Sequence, residues 1–164
     1  MAEQITNVVV AGLGGQGVLK ASDILAEAAF RAGRDVKKAE VHGMSQRGGS
    51  VTSDVRFAAD LSGASPMVPA GSADYLLVLS MDQVEVARPR LSDDGVLISA
   101  DWIDENALPN RKSLNVAVLG ALSTYLDLDE DVWRSAVHAN LPEKVHEVND
   151  QAFALGREAA RKRS

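Results

Sequence analysis

"NVVVAGLGGQGVLKASDILAEAAF", Asn7 to Phe30, is the stretch on which the fold turns. Its opening, NVVVAG (Asn7 to Gly12), is a short β-branched run that ends in glycine, the pattern of a buried strand. Beyond the glycines, Val18, Ala21, Leu25, Ala28 and Ala32 recur at alternating spacings of three and four. That period predicts an amphipathic helix, and Gly33 supplies its stop. A buried strand, a glycine turn and a helix open a βαβ unit.

Working outward, DVKKAEVHG reads as a second strand and SVTSDVRFA as a third. In the third, Val51, Ser53, Val55 and Phe57 share one face while Thr52, Asp54 and Arg56 share the other, which predicts a half-exposed or edge position. Leu61 to Asp74 is rich in Gly, Pro, Ser and Ala and reads as a loop. YLLVLS is an apolar strand, MDQVEVARPRL a short helix ended or kinked by Pro89, and GVLISAD another strand. NVAVLGALSTYL is apolar nearly all round, so it should be a helix buried on both sides or at an interface. DLDEDVWRSAVHANL opens with acids, a favourable helix start, and the last helix carries Val145, Val148, Ala152, Leu155 and Ala159 on one stripe. Strands alternating with helices imply one α/β domain over residues 1–164: three layers, Rossmann-like, with a mostly parallel sheet covered on both faces.

The chain has 164 residues, a one-domain length that can bury a self-sufficient core. A net charge of -6 disfavours non-specific nucleic-acid binding, and the closing RKRS reads as a solvated helix end set favourably against the helix dipole. There is no cysteine, so a disulfide framework and cysteine-held zinc or iron–sulfur clusters are excluded for this chain itself. No run approaches a signal peptide or a membrane span, which makes a cytoplasmic protein without membrane or nucleic-acid partners the expectation.

GLGGQG matches the dinucleotide pattern at Gly12, Gly14 and Gly17, with Gly15 and Gln16 between, in the strand–helix context the pattern requires. Free N–H groups at the helix start favour an anion, Lys20 adds a positive charge one turn in, and Glu40 is a candidate for the ribose-binding acid. The other reading stands level: small residues let the helix pack tightly while the loop faces a partner.

A second glycine loop, HGMSQRGG, runs from His42 through Gly43, Met44, Ser45, Gln46, Arg47 and Gly48 to Gly49. It should lie beside the first, because ligand crevices in such sheets form at the carboxyl ends of strands. The planar fork of Arg47 suits a carboxylate or phosphate, and Gln46 and His42 offer neutral hydrogen bonds. Taken alone, an arginine in a loop makes a surface salt bridge, and that reading stays open.

Elsewhere the chemistry is sparse. His138 and His146 have no metal-site spacing and read as partly exposed helix residues; Asp23 and Glu27 read as a solvated helix face. Ser45 and His42 lack the elbow and third member of a triad, and Met44 and Met67 are candidates to line an apolar pocket. No self-contained catalytic machinery is visible.

GLGGQGVLKASDILAEAAF followed by EVHGMSQRGGSVTSDVRF resembles the gamma-type domain of 2-oxoacid:ferredoxin oxidoreductases, and HGMSQRGG is closest in form to the small beta subunit of the indolepyruvate class. The likeness continues through ADYLLVLS, NVAVLGAL and EVNDQAFALG, over essentially the whole chain. It implies a non-catalytic subunit that completes the pocket of a large catalytic subunit. Thiamine diphosphate, magnesium and iron–sulfur clusters would sit in that partner, with none bound by this chain alone. Ferredoxin and coenzyme A would be met through the complex; the oligomeric state stays open, a homodimer of the isolated chain in place of the missing partner being one outcome. On this resemblance Gly43 to Gly49 faces the catalytic subunit, and Arg47 pairs with a carboxylate of the partner or with a ligand anion. Two alternatives remain: an NAD(P)-binding Rossmann protein, and a free-standing binding or regulatory module of the same fold.

Overall fold

The computed structural model describes residues 4–42 and 49–163, with His42 described by its backbone alone. Five strands form one sheet: β1 (Thr6–Leu13), β2 (Asp35–His42), β3 (Ser50–Ala58), β4 (Ala73–Val78) and β5 (Leu91–Ser99). The helices are α1 (Val18–Arg31), the single-turn α2 (Val84–Ala87), α3 (Leu114–Ser123), α4 (Glu130–Asn140) and α5 (His146–Arg163). Strand order is β2-β3-β1-β4-β5.

β1 pairs parallel with β4, and β4 with β5, while β3 is antiparallel to both β1 and β2. Four strands therefore point one way, as a mostly parallel sheet requires, but the pairings divide evenly between parallel and antiparallel. The cause is the short connection between β2 and β3, far below the dozen or more residues of a parallel crossover.

Strand β1 is buried on both faces. Val8 and Val10 face a large cluster built with α1, α3, α4 and α5; Val9 and Ala11 face a smaller one with Leu76, Val78, Val84 and Ala87. The third layer is thus thin, made of α2 and the segment around Val68 rather than a long helix. Helix α3 is buried along its length, against β4 and β5 on one side and α5 on the other, as its all-round apolarity requires. The stripe of α5 centres on Ala152, Phe153, Gly156 and Ala160; Val145, Val148, Leu155 and Ala159 flank it half-buried.

The expected edge position of β3 is overturned. β3 lies between β2 and β1, and residues 53–58 are all buried. Its polar face is covered by the 61–72 loop through a hydrogen-bonded network. Asp54 accepts from the Val68 N–H at 2.9 Å and from Arg90 at 2.7 Å. Arg56 donates to Asn7 at 2.7 Å and to the Ser65 carbonyl at 2.6 Å. Buried charges are tolerated when paired and hydrogen-bonded in this way.

Candidate glycine-loop face

The turn after β1 is built mostly from its own backbone. Gln16 folds over it, its side-chain oxygen accepting the Leu13 N–H at 2.7 Å while its own N–H reaches the Leu13 carbonyl at 3.2 Å. The side chain occupies the space above Gly12, where an added Cβ would lie 2.9 Å from Gln16 Oε1 and from Val18. Gly15 (φ +89°) and Gly17 (φ +81°) both take the left-handed conformation that other residues avoid. Gly17 caps α1 with no side-chain cap, and its carbonyl receives the first helical bond, from Ala21 at 2.9 Å.

The first glycine loop meets the last residue of the second. The Gly14 N–H donates to the Gly49 carbonyl at 3.0 Å, extending the β1–β3 ladder past its last pair, Leu13 with Ser50. Ser50 in turn donates to Gln83 at 2.6 Å, drawing in the turn after β4, where Met81 is half exposed. Three connections therefore share one end of the sheet, the end at which α/β proteins meet ligands and partners. Of the second loop, His42 is placed as the last residue of β2 and Gly49 as above; Gly43, Met44, Ser45, Gln46, Arg47 and Gly48 lie outside the described residues.

One residue of this face escaped the sequence reading. Asn115, buried at the start of α3, donates from its side chain to the Gly17 carbonyl at 3.2 Å, while its Oδ1 accepts the Val116 N–H at 2.9 Å. A Cβ on Gly17 would stand 2.4 Å from the Asn115 amide nitrogen. The signal was the lone amide in NVAVLGAL, since a polar group in an otherwise apolar helix needs a partner. Beside Gly15 and Gly17, an open cleft of about 570 Å³ is bordered by exposed Arg111 and Lys112 and by Glu105. Lys20 is exposed in the first turn of α1.

The ribose-acid reading of Glu40 fails. β3 separates β2 from β1, which puts Glu40 two strand spacings, roughly 10 Å, from the glycine strand. Its carboxylate instead lies 3.4 Å from Lys38. Asp23 and Glu27 each hold a cation, Lys38 and Arg31, as a solvated helix face does. His138 and His146 are more engaged than expected. Their rings stack at 4.0 Å, His138 contacts Asp150 at 2.8 Å, and His146 Nε2 donates to the carbonyls of His138 and Leu141. Met67 is half exposed on the 61–72 loop and is not among the residues bordering the cleft.

The described residues offer no thiolate for an iron–sulfur cluster and no three-ligand group for the magnesium of thiamine diphosphate. The chain has no cysteine, and the described residues contain no group of three His, Asp or Glu placed to hold a metal. Among them no helix is long and apolar enough to cross a membrane.

Residues 7–110 match the family described as pyruvate ferredoxin/flavodoxin oxidoreductase. The chain is 34% identical to the indolepyruvate oxidoreductase subunit IorB of Thermococcus kodakarensis, over 94% of this chain and 96% of that protein. It is 35% identical to the IorB subunit of Archaeoglobus fulgidus, over 91% of this chain and 69% of that one. Among solved structures, the gamma subunit of a keto/oxoacid ferredoxin oxidoreductase from Geobacter sulfurreducens superimposes with a TM-score of 0.81 at 25% identity, covering 96% of this chain and 99% of that one.

Proposed function

The chain belongs to the pyruvate ferredoxin/flavodoxin oxidoreductase family, and from that premise we propose that it is the small, non-catalytic subunit of an indolepyruvate-type 2-oxoacid ferredoxin oxidoreductase. The whole of residues 1–164 acts as one gamma-type unit, a reading supported by relatives aligned over nine-tenths of it. The observation that carries the proposal is the Gly14–Gly49 hydrogen bond, which joins the first glycine loop to the last residue of the second on an exposed face. Such a face suits a surface that completes another subunit's pocket. Thiamine diphosphate, magnesium and iron–sulfur clusters then belong to a large catalytic partner, and ferredoxin and coenzyme A are met through the complex.

On this reading Gly12, Gly14, Gly15, Gln16 and Gly17 shape the contact, and the loop from His42 to Gly49 leaves the same end of the sheet to reach the partner. Arg47 pairs there with a carboxylate of the partner or an anionic group of a ligand, because a guanidinium fork binds such groups bidentately. The test is an anaerobic pull-down of the tagged chain from its own cells, with mass spectrometry, cofactor analysis and arylpyruvate-dependent viologen reduction. A stoichiometric large subunit carrying thiamine diphosphate and iron, whose turnover falls in Arg47→Ala, is the expected outcome. A chain recovered alone and inactive would overturn the assignment; an active complex indifferent to Arg47→Ala would remove only the role of that residue.

A further inference from the structure

β2 and β5 are the two edges of the sheet, and they are finished differently. An edge strand presents a row of unpaired N–H and C=O groups, a template for another chain unless irregularity or charge guards it. β5 is guarded: its pairing with β4 shifts register between Ala73 and Tyr75, and Asp93 and Asp94 are exposed on it. β2 is regular through all eight of its residues against β3.

Lysines ordinarily protect an edge, but both lysines of β2 are turned back into their own fold. Lys37 donates to the Ala64 carbonyl at 2.6 Å, and Lys38 is ion-paired with Asp23. Large apolar side chains lie exposed alongside: Val41 is 46% exposed and Phe30, on α1, 69%. Phe30, Val36 and Ala26 border an open cleft of about 450 Å³ beside the strand.

The charge pattern of β2 selects an occupant. When two copies of one strand pair antiparallel about a two-fold axis, opposed side chains share a face, so the axis must pass through a residue. An axis at Lys37 or Lys38 sets lysine against lysine, and one at Glu40 sets glutamate against glutamate. An axis at Ala39 makes the strand complementary to itself. Lys38, held by Asp23 and Glu40 of its own chain, then also comes opposite Glu40 of the second copy, twice over, and the Lys37 stem lies along the exposed Val41, also twice.

We propose that β2 pairs antiparallel with β2 of a second copy of this chain, in register about Ala39, joining two five-stranded sheets into one. The two-fold axis places the carboxyl ends of the two β2 strands at opposite ends of the joint sheet. The two glycine-loop faces therefore point away from each other, and each stays open to a partner of its own.

The absence of native cysteine makes the test clean. Directly opposed residues on antiparallel strands have Cα atoms about 4.5–5.5 Å apart, within reach of a disulfide. Ala39→Cys should give a covalent homodimer on mild oxidation, both as the purified chain and in the complex isolated from cells. Lys37→Cys, displaced from its own counterpart by four residues or about 13 Å, should not. Sedimentation equilibrium adds a second reading. Glu40→Lys should raise the dimer Kd about tenfold, and Glu40→Lys combined with Lys38→Glu should restore it, with thermal melts confirming that each variant is folded. The proposal falls if Ala39→Cys stays monomeric in both preparations, if it cross-links no better than Lys37→Cys, or if Glu40→Lys leaves the Kd unmoved.

Discussion

Gly120 and Gly156 face each other where α3 crosses α5, and Gly15 and Gly17 shape the turn after β1; the same residue type answers a different demand in each place. In the helix crossing the demand is distance. A Cβ on Gly156 would come within 1.7 Å of the Ala117 carbonyl oxygen, and one on Gly120 within 2.1 Å of that of Phe153. The obstacles are backbone atoms, which cannot swing aside. In the turn the demand is torsion: both glycines have φ near +85°, and Gly15 has nothing within 4 Å of its missing side chain. Glycines that let two helices touch support stability, whereas a glycine that leaves a turn bare toward solvent keeps a surface open.

The largest expected effect is therefore at the crossing. Gly156→Ala should gain the better helix propensity of alanine, about 1 kcal/mol, and lose more than that to overpacking, for a net cost of about 3 kcal/mol. Thermal unfolding should fall by roughly 6–12 °C for a chain of this length; a rise would mean that the helices stand further apart. Gly17→Ala comes next. It combines left-handed strain of about 1–2 kcal/mol with displacement of the Asn115 amide, worth about another 1 kcal/mol. A double-mutant cycle isolates the second contribution: in an Asn115→Ala background, the cost of Gly17→Ala should shrink by about 1 kcal/mol. Equal costs in both backgrounds would show that the amide gives way freely.

Gly15→Ala should have the smallest effect on unfolding, about 1 kcal/mol of strain alone. Its effect should appear instead in recovery of the large subunit, measured by pull-down against the wild-type chain. If Gly15→Ala weakened folding and left recovery intact, the open turn would be a structural turn and nothing more.

Much of this was readable from local pattern. The NVVVAG strand, the glycine turn and α1 follow from periods of two and 3.6 residues, and the all-round apolarity of NVAVLGAL announced a helix with protein on every side. Strand β3 was misread because its alternation of Thr52, Asp54 and Arg56 with apolar residues is the same whether the polar face meets water or a covering loop. Only Arg90, Asn7 and the Val68 N–H, distant in sequence, distinguish the two. The position of β3 between β1 and β2 is likewise a long-range fact, and it is what removed Glu40 from the glycine loop. The meeting of Gly49 with the first loop could be argued from the rule about strand ends; the docking of Asn115 on Gly17 could not, since no periodicity links positions so far apart.

That same docking sets a clock on assembly. Asn115 follows Gly17 by 98 residues, so the first glycine turn is held by a side chain that does not yet exist when the turn leaves the ribosome. At ordinary translation speeds the interval is roughly 5–20 s. A nascent first half can form β1, α1 and the β2–β3 hairpin, but not the finished surface. The subunit becomes competent to meet a partner late in its own synthesis, when α3 has arrived to lock the turn.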